Sequence, residues 1–132
     1  MEDRCQGVSL IGPKTRRRII EQLSLSLSYR QLASSLGVTP SAIHKYLTGR
    51  STPRDEIMCR AIDLAGDLGL AEIGEIIMED LAKELEALLE KLVKSDLVAP
   101  SHVIGLSDVV GRVKLAMVAG MRARPAWLRG SR

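Results

Sequence analysis

Aromatic side chains are almost missing from these 132 residues, at 2% of the total, so stacked rings cannot build the core. Leu, Ile, Val, Ala and Met must fill the interior. That supply suits helices better than sheets, whose pleated and half-buried surfaces favour β-branched and aromatic residues. Asparagine is absent and glutamine occurs only three times, a shortage that suits a thermophilic source and equally a biased genome. The only cysteines are Cys5 and Cys59. The two could in principle pair, yet they are too few for the disulfide framework of a small secreted domain, and they are read as free thiols in a reducing cytoplasm. No apolar run approaches the roughly 18 residues that span a bilayer, and Met1-Glu2-Asp3-Arg4 lacks the basic-then-apolar order of a secretion signal. The expected location is cytoplasmic, without membrane attachment.

Catalytic constellations are missing as well. Neither His44 nor His102 has a partner at catalytic or metal-ligand spacing, and no glycine-rich loop suited to cradling phosphates occurs. No catalytic residue, metal or cofactor is expected, which makes an enzyme the weakest reading.

What is present is enough to fold. Hydrophobic residues make up 45% of the chain and charged ones 27%, unlike a polypeptide too polar to form a core. The net charge of +3 hides a segmented pattern. Residues 1–60 hold ten basic and five acidic side chains, residues 61–96 hold three and ten, and residues 97–132 hold six and one. The first segment can neutralise phosphates, whereas the acidic middle must face away from DNA or face a partner.

Apolar spacing and punctuation divide the chain into helices. Pro13 suits a first helical turn, followed by Ile19, Ile20 and Leu23 at helical spacing, with Arg16, Arg17 and Arg18 read as a solvated face and a DNA-backbone contact as the alternative. The alternation Leu23-Ser24-Leu25-Ser26-Leu27-Ser28 is taken as a frayed helix end and a turn. Ser28 then caps a helix over 29–36 that buries Leu32, Ala33 and Leu36 and stops at Gly37. Thr39-Pro40 caps a third helix, with Ile43 and Leu47 inward and Gly49 as its stop. Thr52-Pro53 is expected to start a fourth that ends at Gly66. From Leu70 the positions Ile73, Ile77, Leu81, Leu85, Leu88 and Leu92 predict one helix of about 24 residues. Residues 95–105 read as a loop containing a solitary His102. A last helix is expected over 107–120 with Val109, Val110, Val113, Ala116 and Met117 inward. The segment 121–132, with Arg122, Arg124, Arg129 and Arg132, reads as a basic tail that is mobile or binds an acidic surface.

Two short helices joined by a glycine turn set the second across the first, so that one face stands clear for the DNA major groove. The run from Ser28 to Pro53 resembles the Cro and lambda-repressor-like (XRE) helix-turn-helix family. The matching features are Leu32-Ala33, Leu36-Gly37-Val38, the central Ile43, Gly49 and the proline four residues later. The resemblance covers about residues 15–66. It implies a lambda-repressor-like all-α domain (13–66) and says nothing about the rest, where apolar spacing alone gives a helical segment (67–120) expected to serve dimerisation or interaction. The resemblance also implies a transcriptional regulator of double-stranded DNA with its recognition helix over about 40–48. Base contacts would come from Pro40, Ser41 and Lys45, with His44 beside them. Phosphate contacts would come from Tyr29 near the start of helix two and from Thr48 and Arg50 after helix three; Arg30 and Thr39 complete the expected DNA-binding set. Tyr29 stands where many relatives have Gln, and Leu47 where many have a Glu that pairs with helix one.

Independently of that resemblance, Ser41, His44, Lys45 and Thr48 fall at i, i+3, i+4 and i+7, a polar stripe opposite Ile43 and Leu47. Lys45 has the reach for guanine O6 or N7. A homodimer through 67–120 is the expected assembly, because a single small reader covers few base pairs and gains affinity by pairing half-sites. The alternatives are an antitoxin or adaptor whose 67–120 helices bind another, unidentified protein, and a module that binds only protein.

Overall fold

A computed structural model describes residues 5–122, which contain six α-helices and no strand. The basic segment beyond Arg122 lies outside the described residues. Helix α1 (Pro13–Ser26) opens on Pro13, whose missing N–H is one of those a helix start leaves unpaired anyway. Ser28 caps α2 (Tyr29–Leu36) through a reciprocal box: the Gln31 amide donates to Ser28 Oγ at 3.1 Å, and the Ser28 amide donates to Gln31 Oε1 at 3.0 Å. Gly37 ends it at φ 74, the left-handed conformation in which a Cβ is costly. Thr39 Oγ1 accepts the Ala42 amide at 3.1 Å and starts α3 (Pro40–Leu47). These three helices begin and end where the capping residues predict.

The fourth helix corrects two expectations. Helix α4 (Asp55–Leu68) starts after Arg54, not at Thr52-Pro53. Pro53 is fully buried, and its carbonyl accepts from Arg16 Nη1 at 2.8 Å, so its backbone is engaged in holding the domain together. Asp55 and Glu56 occupy the first turn, where the helix dipole favours negative charge. Gly66 does not stop α4, which runs on to a cap at Gly69.

The apolar faces of α1 to α4 meet in one core. Ile19, Ile20, Leu23, Leu32, Leu36, Ile43 and Met58 are completely enclosed, each worth about 1.5–3 kcal/mol of hydrophobic transfer. Tyr46, which the sequence reading passed over, is buried at the back of α3, while Leu47 is only half-buried against the core. Two elements outside the four helices complete this unit. The 3-10 turn Val8–Leu10 tucks Val8 into the core. Ile73, in the first turn of α5 (Ala71–Lys94), is also enclosed.

The arginine run is not one solvated face. Arg16 is buried, and its guanidinium donates to the carbonyls of Ile11, Pro53 and Val8 and to Asp55 Oδ1, at 2.7, 2.8, 3.1 and 2.7 Å. Arg18 Nη1 meets Asp80 Oδ1 of α5 at 2.7 Å, and Thr15 donates to the other carboxylate oxygen at 2.8 Å. Arg17 alone stays exposed.

The expectation of free thiols is overturned: Cys5 and Cys59 form a disulfide, with Cα atoms 5.5 Å apart. The turn at Val8–Leu10, held by Arg16, brings residue 5 within bridging distance of α4, a contact between positions 54 apart in sequence.

Among the described residues, 84–122 form a second unit. The loop expected over 95–105 shrinks, because α6 (Pro100–Arg122) begins at Pro100. Proline suits that first position, and His102 is not solitary: its Nδ1 accepts the Ala99 amide at 3.0 Å. The stripe expected to face inward, Val109, Val110, Val113 and Met117, is exposed in the single chain, along with Val103, Ile104 and Leu115.

Candidate nucleic-acid interface

Backbone requirements at two glycines fix how α3 stands on the rest of the unit. At Gly37 an added Cβ would lie 2.6 Å from Arg60 Nη1, and that guanidinium itself donates to the Leu36 carbonyl at 2.8 Å. The turn between α2 and α3 is therefore tied to α4 at its tightest point. Gly49, at φ +78, reverses the chain as α3 ends. Between these fixed ends α3 packs against α1 and α2 through Ile43 and Tyr46.

The opposite side of α3 is open. Thr39, Pro40, Ser41, His44, Lys45, Thr48 and Arg50 are all exposed, as are Tyr29 and Arg30 in the first turn of α2. All nine residues expected to touch DNA therefore lie at the surface, on two consecutive helices and their caps. Their hydrogen-bonding states differ. The Thr39 oxygen accepts the Ala42 amide, leaving its hydroxyl proton to be donated elsewhere. The Thr48 hydroxyl donates to the His44 carbonyl at 3.0 Å and approaches the Lys45 carbonyl at 3.3 Å, so its proton is engaged within the helix. Tyr29 is 42% exposed, its ring partly resting on the protein.

Of the arginine run, for which a backbone contact stood as the alternative to a solvated face, one member lies at this face. Arg17 projects from α1 toward the exit of α3, where a Cβ on Gly49 would lie 3.4 Å from Arg17 Nη1. Its ion-pair partner is Glu21, one turn along α1, at 3.5 Å with both side chains about half exposed. Helical periodicity places Arg17 on the outside of α1, yet the proximity to Gly49 depends on how two helices pack, for which sequence carries no signal. Elsewhere, no cluster of three or more His, Cys, Asp or Glu suited to a metal ion occurs among the described residues. No helix among them is long and apolar enough to cross a membrane.

Comparison with known proteins agrees with this architecture over its amino-terminal part. No curated protein and no solved structure matches the chain. A family model described as a helix-turn-helix domain matches residues 15–70, from the first turn of α1 to the residue following the cap of α4. That span holds α2, the Gly37 turn and α3 at its centre, so the matched residues coincide with the observed helix-turn-helix arrangement.

Proposed function

We propose that the chain is a sequence-specific regulator of transcription, of the Cro and lambda-repressor-like type, that inserts α3 into the major groove of double-stranded DNA. The observation that carries this reading is the exposed polar stripe Ser41, His44, Lys45 and Thr48, set between the exposed first turn of α2 and Arg50 on a capped helix pair. Ser41 and Lys45 would read base edges, with His44 beside them and Pro40 packing against the bases. Tyr29, Arg30, Thr39, Thr48 and Arg50 would hold phosphates and fix register. Because Thr48 already donates its proton inside α3, Arg50 supplies the stronger anchor at that end.

The working unit is a homodimer through residues 67–120. Along α5, Met78, Leu81, Leu85, Leu88 and Leu92 recur at alternating steps of three and four; along α6, Val103, Leu106, Val110, Val113 and Met117 do the same. Most of these side chains are exposed in the single chain. Such spacing is the seam of a helix that packs lengthwise on another, and water is a poor partner for it. A second copy would set two recognition helices about 34 Å apart, on successive major grooves. An antitoxin or adaptor would use the same faces to seat a different protein. A dimeric mass in light scattering supports the homodimer, and a stable monomer favours the adaptor.

The proposed location is the cytoplasm, where the DNA would be. Disulfides are rare there in mesophiles but frequent in intracellular proteins of hyperthermophiles, a setting that also suits the missing asparagine.

Selection of bound duplexes from a random pool tests the whole reading. A palindromic consensus is expected, with affinity falling steeply as salt rises because each neutralised phosphate releases counterions. Failure to retain any duplex at low salt would sink it.

A further inference from the structure

The three adjacent arginines of α1 have separate fates, and this separation isolates one of them for a ligand. Arg16 is fully engaged with four acceptors inside the protein. Arg18 is bound to Asp80. Arg17 has a single pairing with Glu21 at 3.5 Å, long for a charge-assisted hydrogen bond and open to solvent on both sides. Its guanidinium meanwhile sits beside Gly49, between Thr48 and Arg50 at the exit of the recognition helix. The Arg17 guanidinium of α1 thus lies beside the short segment after α3 that carries Arg50, with no acidic residue in the stretch from Tyr46 to Arg54.

We infer that Arg17 is a phosphate-binding residue that works with Arg50 to grip one phosphate of the DNA backbone at the carboxyl-terminal end of α3. The inference rests on the proposed DNA-binding role and adds to it a contact from α1. A planar fork of donors matches phosphate oxygens. Glu21 acts as a resident counter-ion that the phosphate displaces, so it lowers affinity while keeping Arg17 in place.

The test measures Kd for the selected duplex across a salt series with the full chain and its Arg17→Gln, Arg17→Lys and Glu21→Gln variants. With Arg17→Gln, the slope of log Kd against log salt should fall by about one, and affinity should drop by a similar factor for matched and mismatched duplexes. Arg17→Lys keeps the charge and should restore most of the slope. Glu21→Gln should bind severalfold more tightly at low salt. Unchanged thermal unfolding separates these effects from loss of fold, as expected for an exposed side chain. An unaltered salt slope in Arg17→Gln, with the unsubstituted chain binding normally, overturns the phosphate role and leaves the proposed function standing. If the unsubstituted chain binds no duplex, both fall together.

Discussion

Arg16 gathers three backbone carbonyls and a carboxylate around one guanidinium, so the side chain serves as a small internal framework joining the residues before α1 to the residues before α4. Its removal would leave buried carbonyls without donors, each worth about 1–3 kcal/mol. Arg16→Ala should therefore lose on the order of 3 kcal/mol of stability, read as a lower urea midpoint. Arg16→Lys should recover little, because an ammonium cannot reproduce the planar fork. Gly37→Ala tests a different kind of requirement. The left-handed backbone at φ +74 and the guanidinium of Arg60 both resist a Cβ, so a loss of about 1–2 kcal/mol is expected in the same assay. Were Gly37→Ala as stable as the parent, the turn would have to open easily, and the fixed presentation of α3 would go with it.

At the scale of elements, short helices depend on their ends. α2 spans eight residues and gains two hydrogen bonds from the Ser28–Gln31 box. Ser28→Ala should cost about 1 kcal/mol, with the loss visible as faster amide exchange in the first turn of α2. The longer α5 is held differently, by Ile73 in the core and by Asp80 against α1. The hydrogen bond from Thr15 and the pairing with Arg18 hold the Asp80 carboxyl below its ordinary value of 3.8, against the opposing effect of burial. A lowered folded-state pKa means that this contribution is complete above the unfolded value and disappears as pH falls through the folded one. Thermal melts of the parent and Asp80→Asn should differ at neutral pH and converge as pH drops below 3.8. A difference that persists undiminished in strong acid would assign the effect to shape and not to charge.

For the whole molecule the decisive bond is Cys5–Cys59, which closes a loop of 54 residues around the helix-turn-helix domain. A cross-link of that span restricts the unfolded chain by about 4 kcal/mol in the chain-entropy account. Reductant, or Cys5→Ser, should lower the urea midpoint accordingly, and an unchanged midpoint would show that the bridge is not formed in solution. The proposed homodimer adds a second dependence. Val110→Glu on α6 is expected to shift the light-scattering mass from dimer to monomer and to weaken binding to a palindrome far more than to a half-site. Equal losses on both duplexes would count against paired reading.

The boundaries of α1, α2, α3 and α5 were legible in sequence, because caps, prolines, glycine stops and apolar spacing act within one or two turns of the residues that carry them. The exposed stripe on α3 followed from the same periodicity. The start of α4 was missed because Pro53, a good opener by local rules, is held by an arginine 37 positions away. The start of α6 was missed because a histidine supplied the capping acceptor, a role usually associated with Glu or Gln.

Local chemistry by itself therefore determined an all-helical chain, its glycine-hinged helix pair and the segregation of charge along it. Only the tertiary structure decided which of three identical arginines is interior, which latches α5 and which faces the end of α3. It alone also decided that two distant cysteines meet. Identical side chains in adjacent positions share nearly the same local preferences, so their fates are set by partners that folding brings from far along the chain.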